Sequence, residues 1–148
     1  MTRHDPTIRW LILNEALLVT GSPVRSLNGE GWTVHLRHRD GLYQVEEVIL
    51  APHVVVPQHR HPHVDSVEHY LGGTFVLIVS GHRFEAGPQL RRLRRSVPIR
   101  ATDWHGAEVG AEGARFLSIQ KWDGNVPVSS VAIDWEGSEA KVVHAVHC

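Results

Sequence analysis

The segment PQHRHPHVDSVEHYLGG, from Pro57 to Gly73, carries four histidines, one aspartate and one glutamate. Six of the chain's twelve histidines fall between His53 and His82. Imidazole and carboxylate together make a donor set for a divalent transition metal. His59 and His61 stand two apart, so on a strand both rings point to one face. Ser66 and Glu68 share a face on the next segment, and Pro62 opens a turn between the two. A hairpin there sets a carboxylate opposite two imidazoles. The same pattern also suits histidines on a solvated strand edge, and local spacing does not separate the two readings.

The elements that must position these groups read as short strands. Glycine and proline turns recur at close intervals (TGSP, NGEG, RDG, AGP, DGNVP), with Val-, Ile-, Leu- and Trp-rich runs between them. That punctuation predicts an all-β sandwich or barrel. The expected strands are WTVHLRH, YQVEEVILA, VVVPQHRH, SVEHYLG, TFVLIVSG, HRFEA, SVPIRA and RFLSIQKW. In the first of them Trp32, Val34, Leu36 and His38 share one face by alternation. TFVLIVSG is apolar on both faces, as in a strand buried between layers. The apolar run from Ile8 to Thr20 is compatible with a strand or a short helix.

Two stretches resemble the paired motifs of the cupin superfamily, small barrels of jelly-roll type. In HRHPHVDSVEHYLGGTFVLIVSG, two histidines one residue apart precede a glutamate and a strand-ending glycine, as in the first motif. VPIRATDWHGAEVGAEGARFLSIQ approaches a third histidine, His105, as in the second. The match runs from Val54 to Gln120. Anchoring it on the gap-free LGGTFVLIVSG, with turn glycines at Gly73 and Gly81, makes His59, His61 and His105 the implied metal ligands. The family's glutamate position then falls on Ser66, a poor ligand. Glu68, two residues on, becomes the candidate fourth ligand and catalytic carboxylate. A second register uses His61, His63 and Glu68 but displaces the glycines.

The resemblance implies a single cupin-type domain over residues 1–148, with its core at about 30–123 and both termini packed on it. It implies one divalent transition metal, whether Fe, Mn, Ni, Zn or Cu. It also implies an enzyme acting on a small organic molecule by oxygenase, isomerase or lyase chemistry; the alternative is a non-catalytic cupin that binds or senses a small molecule. Tyr70, Gln120 and Trp104 are candidate pocket groups. Cupins commonly pair, and the apolar segment Ile8–Val19 needs burial, so a homodimer is expected.

The remaining features exclude more than they add. The formal net charge is −1, which leaves no global field for nucleic acid or an acidic membrane. The basic run QLRRLRRSVPIR lacks interleaved aromatics and reads as a solvated loop or edge strand. Cys148 is the only cysteine, so no intramolecular disulfide forms, and a reducing cytoplasm is the expected compartment. No run is long and apolar enough for a membrane-spanning helix. Asp65 and Asp103 read as turn caps, and His69 alternates away from Glu68. His144 and His147 lie in the tail and are not needed for the site.

Overall fold

A computed structural model describes residues 5–89, 95–128 and 134–135. Two short helices, α1 (Pro6–Leu13) and α2 (Glu15–Leu18), precede nine strands. The strands are β1 (Arg25–Gly29), β2 (Trp32–Asp40), β3 (Tyr43–Leu50), β4 (Val55–Arg60), β5 (Val64–Val79), β6 (His82–Ala86), β7 (Ser96–Ile99), β8 (His105–Trp122) and β9 (Asp134–Trp135). All pairings are antiparallel, in the order β1-β2-β3-β8-β4-β9, with β5 joined to β6, β7 and β8. The fold is all-β, as the turn spacing predicts, and is the jelly-roll barrel that the cupin resemblance implies.

Two long strands build it. The segments SVEHYLG and TFVLIVSG, expected as separate strands, form one 16-residue strand, β5. It runs beside the 18-residue β8 along nearly its whole length. Both bend at their glycines, where the register shifts around Gly72 and Gly73. Gly73 has φ +83° and faces Gly113 at φ +72°. A Cβ on Gly73 would strike the Gly113 carbonyl, so only glycine permits this approach. Past the bend, β8 exchanges its partner β3 for β4.

Two apolar clusters result. The barrel interior holds Val34, Val48, Leu50, Val56, Tyr70, Phe75, Leu77 and Phe116. The outer face of β3, β5 and β8 offers Val45, Val67, Leu117 and Ile119 to Ile8, Leu11 and Leu18 of the helices. The N-terminal segment is therefore helical. Asp5 caps α1 by accepting from the amides of Thr7 and Ile8 at 2.9 and 3.1 Å, and Pro6 occupies the first turn. The barrel itself buries one face of this segment, so its burial needs no second copy. Leu13 and Leu17 stay exposed.

Two expectations about alternation change. A bulge at Arg37 shifts the register between Leu36 and His38, so the shared face that starts at Trp32 stops at Leu36. In TFVLIVSG, Phe75, Leu77 and Val79 are buried while Val76 and Ile78 are only partly so; one face packs inward. Arg37 puts its guanidinium on Glu47, 2.9 Å from Nε, and on the Gly21 carbonyl at 2.7 Å. Arg115 reaches the other Glu47 oxygen at 2.5 Å. Burial alone would raise the Glu47 carboxyl, but the two guanidiniums outweigh it and hold the group below its ordinary range.

Candidate metal centre

β4 and β8 meet with His59 directly opposite His105. His61, just beyond the end of β4, turns its ring to the same place. The ring centroids lie 4.3 Å apart for His59 and His105, 5.0 Å for His59 and His61, and 5.3 Å for His61 and His105. One ring nitrogen from each lies within 4.8 Å of the others, and all three residues are buried. The Nδ1 atoms of His59 and His105 lie 2.8 and 3.2 Å from the carbonyls of Pro57 and Asp103. A carbonyl only accepts, so each Nδ1 carries a hydrogen and each Nε2 is left to act as a donor atom. Backbone pinning of this kind orients metal-binding imidazoles. The three nitrogens without thiolate fit a divalent transition metal.

The second register does not assemble. His63 sits in the turn after β4 with Nδ1 2.9 Å from the Asp123 carboxylate, partly exposed. Glu68 is not in the imidazole group either. It lies deeper in the barrel, where Oε1 accepts from Ser66 at 3.0 Å and from Ser118 at 3.3 Å. Burial pushes its carboxyl up to about 8; the two serine hydroxyls pull the other way and the Glu46 charge adds to the rise. Burial thus favours the proton-bearing form of this carboxyl. Glu68 and His105 line the same small void, together with Leu50, Val56, Leu77 and Phe116.

The pocket candidates separate. Gln120 is fully buried, accepting from Gln44 Nε2 and Trp122 Nε1 at 3.1 Å each. It donates to Glu46 at 2.8 Å and to Ser118 at 3.1 Å. Tyr70 spends its hydroxyl on the Gly73 carbonyl at 2.8 Å and stacks on Phe75. Trp104 carries the Arg60 guanidinium over its ring, 4.7 Å from the centroid. Asp103 accepts from the Arg100 amide, as expected of a turn cap, whereas Asp65 lies in β5 and accepts from the amide of Ala101, 36 residues on.

Sequence reasoning missed Gln44, Glu46 and Ser118, which with Gln120 and Glu68 form inward-facing rows across β3, β8 and β5. The signal was present: Gln44 and Glu46 alternate with Val45 and Glu47, so one strand face is polar inside a barrel. Arg95 departs from the solvated run expected around it, for its Nε is buried. Residues 90–94 of that run, His144, His147 and Cys148 lie outside the described residues.

The sequence matches no protein-family model and no curated protein. The structure is similar to KdgF from Halomonas sp., with TM-score 0.59 at 14% identity over 72% of this chain and 97% of that one. It is also similar to an RmlC-like cupin from Shewanella frigidimarina, with TM-score 0.57 at 15% identity over 68% and 86%. The chain has the cupin fold. A third cupin-fold neighbour is a DMSP lyase, with TM-score 0.55 at 10% identity, covering 64% of this chain and 49% of that one. In the cupin barrel described here Phe75 and Phe116 pack within the interior apolar cluster, with ring centroids 5.5 Å apart. Among the described residues no helix is long and apolar enough to cross a membrane.

Proposed function

We propose that this cupin binds one divalent transition metal through His59, His61 and His105 and acts as an enzyme on a small organic molecule. The observation that carries the reading is the convergence of three buried imidazoles, two of them fixed by backbone carbonyls. Burying three such rings costs desolvation, and an extensive antiparallel barrel has no need of a metal clamp to fold. A metal there would act as a Lewis acid on a carbonyl or carboxylate oxygen of the substrate. The chain supplies the rest. The wall of Val56, Leu77 and Phe116 excludes water, and the Glu68 carboxyl, whose burial favours the protonated form, lines the same void. Gln120 fixes the Glu46 and Ser118 side chains around it. The likeness to a DMSP lyase supports an enzyme of the lyase type within the oxygenase, isomerase and lyase group.

The test is metal analysis of protein purified without chelator, followed by a substrate screen of the loaded protein. About one equivalent of metal is expected for three imidazoles, falling steeply in His105→Ala. Turnover of a small carbonyl or carboxylate compound supports the enzyme. Tight binding without turnover supports the binding-cupin alternative, and absence of metal from the wild type defeats both metal readings. We also infer a cytoplasmic homodimer joined through the exposed helical residues Trp10, Leu13 and Leu17.

A further inference from the structure

Among the described residues, two buried side-chain polar atoms have no hydrogen-bond partner: Glu68 Oε2 and Arg95 Nε. Both residues line one void between β5, β6, β7 and β8, walled by Tyr70, Phe75, Phe84 and Phe116. Buried polar groups are nearly always paired, because an unpaired one forfeits its hydration with no return. Two such atoms on a single void point to a ligand group that satisfies both.

We propose that this void takes the carboxylate head of a small organic acid, with Arg95 Nε–H as the charged anchor and the Glu68 carboxyl as the second contact. The inference rests on the small-molecule reading above and names its substrate class. A guanidinium stays protonated at any physiological pH, so the complementary ligand is an anion. Aromatic walls strengthen that charge-assisted bond by excluding water. Glu68 accepts from two serines on Oε1, and while it keeps its proton it can donate from Oε2. The exposed Glu85 also lines the void, and its charge acts on Arg83.

Size sets the part of the ligand that enters. The void measures about 30 Å³, room for a water-sized group and not for a ring. Glu68 also lines the void that contains His105.

The experiment follows the Arg95 Nε–H resonance of the isotope-labelled full chain, assigned by its loss in Arg95→Lys, with acetate and acetamide as probes. Metal-stripped and metal-loaded samples are titrated side by side. Acetate should move the resonance saturably, with a dissociation constant at least about tenfold below that of the neutral amide. Arg95→Lys should weaken acetate, read on neighbouring backbone amides, by roughly fivefold or more, because lysine lacks the planar fork. An Arg95 resonance that ignores acetate, or answers both probes alike, overturns the proposal and leaves an ordered water as the partner of these atoms. The wild-type titration decides this even if the variant does not fold. If acetate binds while the protein takes up no metal, the carboxylate site stands and the metal centre falls.

Discussion

His59 and His105 face each other in register across β4 and β8, and each Nδ1 meets the carbonyl two residues before it in the chain. Pinned rings that need no rearrangement should bind metal with little loss of conformational freedom. A metal that binds only the native state raises the melting temperature. At roughly a hundredfold excess over its dissociation constant the rise should be about 5–10 °C for a domain of this size. His105→Ala should keep the far-ultraviolet circular dichroism and lose that rise, and a chelator should reverse it in the wild type. An equal rise in both proteins would place the metal elsewhere.

The Glu68 carboxyl sets a pH dependence of defined sign. Its unperturbed value is 4.5 and burial first of all lifts it to about 8 in the fold. Between those values the native state keeps a proton that the unfolded chain has lost, so this group lowers stability as pH rises. Below the window it contributes nothing; above it the loss is complete. Glu68→Gln should therefore gain on the wild type from about pH 5 to 8, by on the order of a few kcal/mol. Urea unfolding of metal-stripped protein across that range measures the difference, and parallel curves would refute the assignment.

Glu47 works in the opposite direction. Burial favours its neutral form, but Arg115 and Arg37 prevail and depress the carboxyl. Its stabilisation is present above the unperturbed value of 4.5 and is lost as pH falls through the lower folded value. Arg37→Met removes the better buried partner, leaves the carboxylate with Arg115 alone and should cost about 1–3 kcal/mol. Its acid unfolding transition should move to higher pH than that of the wild type. No change in either quantity would show that Arg115 is a sufficient partner.

His69 ties the helices to the barrel. It is buried on the outer face of β5, with Nδ1 2.7 Å from Ser96 Oγ and Nε2 2.7 Å from Glu15 Oε2. Glu15→Ala leaves a buried ring nitrogen unpaired, at about 1–3 kcal/mol. Hydrogen exchange should speed up in α1 and α2 while the β8 amides keep their protection. Uniform acceleration over the barrel would count against a local tie.

Trp10 is 56% exposed and Leu13 71% on α1, and Leu17 72% on α2. Light scattering should give twice the 16.6 kDa chain mass at micromolar concentration, and Trp10→Glu with Leu17→Glu should halve it. A monomeric wild type would end the dimer reading.

The sequence by itself determined the β-barrel, since short strands between closely spaced turns leave few architectures. A side-chain period of two gives His59 and His61 a shared face but does the same for His61 and His63, so the register rested on the resemblance to the cupin motifs. Gly73 was legible because a left-handed bend against Gly113 admits no other residue. Only the tertiary structure showed Glu68 outside the group of three imidazoles. Sequence spacing made it a ligand candidate, but its proton depends on burial and on Glu46, a neighbour contributed by another strand. The same holds for the N-terminal segment, whose apolar residues fit a strand or a helix until the outer face of β8 gave them a surface. Arg95 reads as one of a basic run, and only the packing of β5, β6, β7 and β8 puts its Nε on the same void as Glu68. Backbone geometry leaves local marks on a sequence, whereas the solvation of a charge is set by residues distant along the chain.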